Sequence, residues 1–368
     1  MNKNKKYIIS GGGTGGHIFP AIAIASGLKA KDPNCEILFI GARGRMEMEK
    51  IPEAGYKIIG LNVSGLVRNS KIKNIPVLIK FGFGVLKAMS IIRKFKPDVA
   101  IGVGGYASGA MMKAASLKGV NILIQEQNSL PGKTNQMIAN KAKKICVAYD
   151  GMEKYFEKEK IIKTGNPVRQ DILETVKGSE EAYNKFEVGK DKKIILVVGG
   201  SQGALSINNA IYNNIELFDS LGAQFIWQTG NSFYEKAETI IKEKNIKNIK
   251  CYKFIYDMSS AYSISDLAIS RAGALALSEF CIVGMPVILV PLPTAAENHQ
   301  MINALSLSKE GAAVVIEDKD VNDKLFDVLQ DLLNNSIKLN NMTENIKKLA
   351  IFDSVDRIVE EIEKLQTN

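Results

Sequence analysis

The feature that most constrains this chain is a strand-to-helix turn crowded with glycine, and it occurs twice. Residues 7–28, YIISGGGTGGHIFPAIAIASGL, run from a short apolar stretch through five glycines into an apolar segment with helical spacing. Residues 192–211, KKIILVVGGSQGALSINNAI, repeat the order of strand, glycine turn and helix. A buried strand that feeds a helix packed back onto its own sheet needs such a turn, because glycine lets the backbone bend sharply and approach a neighbour or ligand. Short apolar runs alternate with helical patterns elsewhere. KKYIIS (5–10), CEILFIG (35–41), DVAIGVGG (98–105), NILIQEQ (121–127) and KKICVAY (143–149) read as buried strands of a first half. QFIWQTG (224–230), IKCYKFI (249–255), DLAISRAG (266–273), PVILVPL (286–292) and AAVVIED (312–318) read as strands of a second. This alternation predicts βαβ units and an α/β chain of two doubly wound parallel sheets.

The 368 residues suffice for two such domains, each with its own core. The junction is expected near KTGNPVRQDI (163–172), where Gly165 and Pro167 interrupt regular structure. We expect domains over 1–165 and 166–350, with a final helical segment, about 351–368, packing back on the first. The run NIKKLAIFDSVDRIVEEIEKLQ (345–366) reads as helix throughout.

GGGTGG matches G-x-G-x-x-G through Gly11, Gly13 and Gly16. The full dinucleotide fingerprint also needs an acidic residue about 20 positions on, and the second strand here ends FIGARG without one. The nicotinamide reading is therefore disfavoured. The physics of the turn remains: closely spaced backbone N–H groups and a helix N-terminus make an anion site. Two such turns suggest two phosphate-bearing ligands in a cleft between the halves, beyond the carboxyl ends of the strands. The net charge of +9 agrees with an anionic partner or simply with a lysine-rich composition.

Other chemistries find little support. The four cysteines, Cys35, Cys146, Cys251 and Cys281, are scattered without a CxxC. With His17 and His299 as the only histidines, a three-histidine metal site is impossible. Asp318-Lys319-Asp320 after an apolar run could hold a metal and a diphosphate, but Asp320 also suits the N-cap of the helix VNDKLFDVLQDLL, which is the reading we favour; no metal is expected to be required. His17 follows GGTGG at a helix start, where an imidazole can take a proton at neutral pH or merely brace its loop. Glu279, in the turn-helix segment SRAGALALSE, could bind ribose hydroxyls or lie exposed on a helix.

The N-terminus carries a three-residue apolar run where a signal peptide needs about 7–15, so a cytoplasmic protein is expected. IPVLIKFGFGVLKAMSII (75–92) reaches spanning length, yet Lys80 and Lys87 oppose a span. Lys73, Lys80, Lys87 and Lys94 recur every seven residues, giving a basic helical face beside an apolar one. Such a helix can lie in a lipid interface or cover a core.

GGGTGGHIFPAIAIA, GVGGYASG, QEQNSLPGKTN, GNPVR, GGSQGA, SRAGALALSE and NHQMINA occur in one order across nearly the whole chain. Together they closely resemble the MurG family of bacterial N-acetylglucosaminyltransferases in peptidoglycan synthesis. The resemblance implies a GT-B fold, two Rossmann-like domains facing across a cleft. It implies metal-independent transfer of N-acetylglucosamine from UDP-N-acetylglucosamine to the 4-hydroxyl of the muramoyl sugar of lipid I, with inversion, giving lipid II. Gly13, Thr14 and His17 would face the acceptor with Tyr106 and Asn128, His17 as base. Thr14, Gly15, Gly16, Asn128, Arg169, Ser201, Ile255, Ala274, Leu275, Glu279 and Gln300 would serve the donor, Ile255 through its backbone to uracil and Glu279 on the ribose. Family members often carry a hydroxyl in the segment that is Ala274-Leu275-Ala276 here, so backbone N–H groups must replace it; His299 stands where some have glutamine. A lipid-linked acceptor favours peripheral binding to the anionic cytoplasmic face of the cell membrane through Ile75, Leu78, Ile79, Phe81 and Phe83, rimmed by Lys73 and Lys80. The implied partners are the donor, lipid I, the membrane surface and other cell-wall enzymes, with no nucleic acid. A UDP-N-acetylglucosamine epimerase or a diacylglycerol glycosyltransferase of similar architecture stays open as an alternative.

Overall fold

The structure, a computed structural model, describes residues 4–65, 74–200, 203–295 and 298–366. Its chain divides into two units: Met1–Arg169 with Asp353–Asn368, and Gln170–Phe352.

The first unit runs β1 (Lys6–Gly11), α1 (Gly15–Lys31), β2 (Glu36–Ala42), α2 (Glu47–Glu53), β3 (Lys57–Leu61) and α3 (Ile75–Phe95). It continues with β4 (Val99–Gly104), α4 (Tyr106–Leu117), β5 (Asn121–Glu126), α5 (Lys133–Ala139), β6 (Lys144–Val147) and β7 (Ile161–Lys163). All its strands are parallel, in the order β3-β2-β1-β4-β5-β6-β7. The second unit runs α6 (Gln170–Leu173), α7 (Glu180–Phe186), β8 (Ile194–Val198), α8 (Leu205–Asn213), α9 (Ile215–Asp219), β9 (Gln224–Gln228), α10 (Tyr234–Glu243) and β10 (Ile249–Tyr252). Then come α11 (Met258–Ile264), β11 (Leu267–Ser270), α12 (Ala274–Val283), β12 (Val287–Leu289), α13 (His299–Lys309), β13 (Ala313–Val315), α14 (Val321–Asn334) and α15 (Ser336–Lys347). Its sheet, also parallel, has the order β10-β9-β8-β11-β12-β13. Both orders reverse direction beside their first strand, between β1 and β4 and between β8 and β11. Ligands of doubly wound sheets bind at such switch points, beyond the strand C-termini.

The strands are apolar on both faces because helices cover both. Ile8, Ile40, Ala100 and Ile124 meet Val85, Ala88 and Ile92 of α3 and Ala110 and Met111 of α4. Alternate residues Tyr7, Ile9, Phe39 and Ile101 point the other way, to Ile18, Ile24 and Leu28 of α1. That second face is completed by α16 (Ser354–Lys364), through Ile358, Val359 and Ile362. A Cβ on Gly27 of α1 would collide with Val355, so the small residue sets how closely the two helices approach. Glu363 pairs with Lys5 (3.3 Å) and Lys31 (2.8 Å), and Asn121 donates to the Leu365 carbonyl (2.7 Å).

The structure corrects three readings. The run 345–366 is not one helix: α15 ends at Lys347 and α16 starts at Ser354. Its helical pattern persists across a turn because both pieces are amphipathic. Two strands, β3 and β7, lie at the sheet edges, where brief lysine-flanked segments carry little apolar signal. Asp320 occupies the N-cap of α14, but its carboxylate makes no cap bond and pairs instead with Lys324 (2.8 Å).

Candidate functional site

The first glycine turn closes around the start of α1. Thr14 is the N-cap residue, in extended conformation and without a side-chain cap bond. His17 lies in the first turn, its Nδ1 3.1 Å from the Gly12 carbonyl and 3.4 Å from Thr14 Oγ1. A carbonyl can only accept, so Nδ1 carries the hydrogen and the neutral ring presents Nε2 as the basic nitrogen. The β4–α4 turn abuts this loop. A Cβ on Gly104 would stand 2.7 Å from His17 Cδ2 and Nε2, and one on Gly105 would collide with the Gly12 carbonyl. Both have positive φ, at +104° and +88°, so the GVGG motif supplies backbone shape as well as room. Tyr106 follows as the first residue of α4, half exposed.

The loop after β5 is organised by a buried carboxylate. Glu126 accepts from the Asn128 N–H (3.0 Å) and Nδ2 (3.2 Å), the Gly132 N–H (3.0 Å) and Asn135 Nδ2 (2.8 Å). Asn128 is therefore held by its neighbour, a role for Glu126 that its place beside a strand end did not reveal. Gln127 Nε2 reaches the Val103 carbonyl at the end of β4 (3.0 Å), and Asn166 Nδ2 donates to the Gln127 carbonyl (3.1 Å). The GNPVR segment is thereby anchored to the strand ends, and the Arg169 guanidinium lies over the Phe19 ring, 5.5 Å from its centroid.

Glu47 of α2 was missed by the sequence reading, since RGRMEMEK looks like a solvated helix start. Its side chain is fully buried, accepting from the Gly13 N–H and the Ala42 N–H, each at 2.9 Å. A Cβ on Gly12 would overlap the carboxylate, and one on Gly41 would stand 2.6 Å from its Cγ.

Helix α3 buries Gly84, Val85, Ala88 and Ile92 and exposes Ile75, Leu78, Ile79, Phe83 and Leu86. Phe81 differs from the other apolar candidates: it is half-buried against the core, near Gly109. Lys80 is exposed, whereas Lys87 leaves the lysine stripe and donates to the Gly60 carbonyl (2.8 Å). Burial, then the nearby Arg43 charge, holds the Lys87 amine below the ordinary lysine range. Lys73 lies outside the described residues. By length and composition α3 alone among the described helices could cross a bilayer. One of its faces is nevertheless docked on the first unit.

In the second unit, Gly200 and Gly203 have positive φ, and a Cβ on Gly203 would collide with the Thr229 carbonyl. Ser201 lies outside the described residues. Gln228, at the end of β9, joins two parts of the site: its Nε2 donates to the Gly200 carbonyl (3.1 Å) and its Oε1 accepts from the Ile255 N–H (2.8 Å). The Ile255 N–H is thus engaged, which leaves the carbonyl as the backbone group a base could meet. Asp257 caps α11 through Ser260 N–H (3.0 Å) and pairs with Lys185 (2.6 Å). Desolvation raises its pKa, but these contacts and the bonds from Ser259 and Ser260 outweigh it and hold the carboxyl far below its usual range.

Gly273 is the N-cap of α12, with Ala274 and Leu275 in the first turn, where backbone N–H groups lack helical acceptors. A Cβ on Gly273 would meet no atom of the described residues within 4 Å. Glu279 is buried rather than exposed, and Tyr262 Oη donates to its Oε2 (2.8 Å). Gln300 Oε1 accepts from the Leu292 N–H (2.9 Å), and His299 is the first residue of α13. Asp318 is taken up by Arg271 (2.5 Å) and Ser206 (2.5 Å). Among the described residues no three His, Cys, Asp or Glu side chains converge as a metal site. The cysteines are free, and burial pushes the Cys281 thiol up to about 12.

These halves have counterparts. The N-terminal domain model of glycosyltransferase family 28 matches residues 7–147, and the C-terminal domain model matches 194–358. A curated relative from Bacteroides thetaiotaomicron is 50% identical over 367 residues, covering 99% of both chains. It is named UDP-N-acetylglucosamine–N-acetylmuramyl-(pentapeptide) pyrophosphoryl-undecaprenol N-acetylglucosamine transferase. The solved structure of Acinetobacter baumannii MurG is 27% identical, with a TM-score of 0.77 over 98% of this chain and 100% of that one. A UDP-N-acetylglucosamine 2-epimerase structure covers 98% of this chain and 96% of its own at a TM-score of 0.69; at 14% identity it shares the fold alone. Family models cover most of both halves, and the identity to a transferase runs from end to end: the chain belongs to glycosyltransferase family 28.

Proposed function

We propose that this protein transfers N-acetylglucosamine from UDP-N-acetylglucosamine to the 4-hydroxyl of the muramoyl sugar of a lipid-linked muramyl-pentapeptide diphosphate, lipid I to lipid II. The observation that carries this reading is the 50% identity to such a transferase over nearly the whole chain. The acceptor oxygen attacks the anomeric carbon from the face opposite UDP, so the new glycosidic bond forms as the carbon–phosphate oxygen bond breaks, with inversion. UDP departs with that electron pair, and the hydroxyl proton goes to His17 Nε2.

The second unit would hold the donor. The glycine turn with Ser201 and the first-turn N–H groups of Ala274 and Leu275 stabilise charge growing on the diphosphate, aided by Arg169. The Ile255 carbonyl would accept from the uracil ring, and Glu279, oriented by Tyr262, would take ribose hydroxyls. Gln300 would meet the transferred sugar. On the first unit, Gly13 through His17, Tyr106 and Asn128 would position the acceptor. These groups account for the proton and the leaving charge without assigning either to a metal. The face of α3 bearing Ile75, Leu78, Ile79, Phe83 and Leu86 would rest in the cytoplasmic membrane interface with Lys80 at its rim.

The test is transfer of radiolabelled sugar to a short-chain lipid I analogue, with and without EDTA. Product in both conditions is expected. Product only with added magnesium would defeat the metal-independent part. No product in either, with donor still bound, would defeat the transferase and favour the epimerase or diacylglycerol alternatives.

A further inference from the structure

One peptide unit joins His17 to the buried carboxylate of Glu47. The Gly12 carbonyl lies 3.1 Å from His17 Nδ1, and the N–H of the same peptide, that of Gly13, donates to Glu47 Oε2 at 2.9 Å. No cis peptide bond is present, so the carbonyl and N–H of this unit point in opposite directions, one to each partner. Gly13 has φ +88°, a conformation that L side chains rarely adopt. Glu47 Oε1 is held by the Ala42 N–H, so both oxygens accept, as in the ionised form. Its side chain is fully buried, with no cation paired to it among the described residues. Among the described residues its charge is met by two peptide N–H groups, those of Gly13 and Ala42.

We propose that Glu47 is a positioning residue for the transfer reaction, acting on His17 through the Gly12–Gly13 peptide. This rests on the reading of His17 as base and deepens it. Hydrogen bonds in series polarise one another. The carboxylate draws the Gly13 N–H, the Gly12 carbonyl becomes a stronger acceptor, and the Nδ1–H tautomer is favoured, with the imidazolium stabilised after Nε2 takes the proton. The carboxylate itself stays unprotonated. The arrangement performs what a carboxylate bonded directly to a histidine performs elsewhere, with a peptide between them. It also removes the Gly13 N–H from service to a phosphate, so this loop presents a base where the sequence alone suggested a second anion cradle.

Other charged groups on the elements packed against α1 are Lys6 of β1, Glu49, Lys50 and Glu53 of α2 and Asp356, Arg357, Glu360, Glu361, Glu363 and Lys364 of α16; Arg43 follows β2, Asp98 precedes β4 and Arg169 lies over Phe19. Of the acidic groups, Glu47 is the one bonded to the peptide that His17 uses.

The chain holds two histidines, so imidazole nitrogen NMR of the full-length protein can follow His17 and His299 separately. In the wild type the neutral His17 ring should be the Nδ1–H tautomer. The Gly13 amide proton should titrate with the same midpoint as His17, which a merely structural bond would not do. Glu47→Gln should lower the His17 midpoint by about half a unit to one unit, less than a directly facing charge would produce. The acid limb of kcat/KM should move with it, while the His299 midpoint and UDP affinity stay fixed. An Nε2–H tautomer, or a Gly13 amide indifferent to His17, overturns the proposal in the wild type even should Glu47→Gln fail to fold. An unmoved His17 midpoint in folded Glu47→Gln does the same. Retained turnover in His17→Ala would instead remove the base reading, leaving the measured coupling intact.

Discussion

The two glycine turns occupy the same place in two sheets whose strand orders match apart from the extra edge strand β7 of the first, yet their surroundings differ. In the first, a buried carboxylate takes the Gly13 N–H and a histidine takes the Gly12 carbonyl. In the second, the Gly200 carbonyl is tied by the neutral amide of Gln228, and at the neighbouring turn a Cβ on Gly273 would meet no described atom within 4 Å. A negative group behind the first loop opposes a second negative charge in front of it, whereas the described residues of the second place a neutral amide behind its carbonyl. Matching topology and matching glycines therefore stand in front of different side chains, and under the proposed function that difference would make the first loop the base's and the second the donor phosphates'.

The largest expected effect comes from His17→Ala, which should lower turnover by about 10²- to 10⁴-fold with UDP affinity unchanged. Calorimetry with UDP beside transfer kinetics measures both, and equal losses in the two would abolish the distinction between the loops. Next is a glycine pair. Gly104→Ala places a Cβ against the His17 ring, and a displacement of about 1 Å at a reacting group can cost about 10²-fold in rate. Gly273→Ala meets no atom of the described residues within 4 Å, so it should leave stability within about 0.5 kcal/mol while raising the donor KM. A normal donor KM there would argue against donor contact at α12.

Membrane binding should divide the units in the same way. Replacing Ile79, Phe83 and Leu86 with serine should weaken binding to anionic vesicles by about tenfold or more, since each exposed side chain contributes on the order of 1 kcal/mol when buried. Donor affinity should not change; unaltered vesicle binding would remove α3 as the contact. The smallest effect belongs to Asp257→Ala, which loses the cap of α11 and should cost about 1 kcal/mol in thermal unfolding at pH 7. Because the folded state depresses this carboxyl, its contribution is present above the ordinary carboxylate range, about 4, and fades as pH falls below it. The gap between wild type and variant should therefore narrow in acid, and a gap that widened would contradict the assignment.

Much of the site was legible because glycine has few reasons to cluster. The turns at 11–16 and 199–203 could be read from the sequence as close backbone approaches, whereas Gly104 and Gly105, at the end of a run read as strand, gained that role only in the structure. The central strands were legible too, since burial on both faces leaves continuous apolar runs such as IILVV and VAIGVG. The edge strands β3 and β7 lacked that signal. Phe81, expected at the lipid contact, packs on the core while Leu86 is exposed, because the docking angle of α3, set by contacts with α4 and Val63, decides which part of an apolar helix is outermost. Glu279, read as either exposed or functional, was buried against Tyr262 by a helix whose length was predictable and whose rotation was not.

By itself the amino-acid order determined the two doubly wound halves, the places where backbone comes close, and, through seven motifs in sequence, the family. Those properties depend on local composition and periodicity, which a chain carries before it folds. Only the tertiary structure decided what stands behind each loop. Glu47 is separated from Gly13 by 34 positions and Gln228 from Ile255 by 27. Nothing in either local segment marks a carboxylate or an amide for burial. That choice is made when the sheet closes and buried N–H groups and carbonyls must find partners among whichever side chains the packing brings to them.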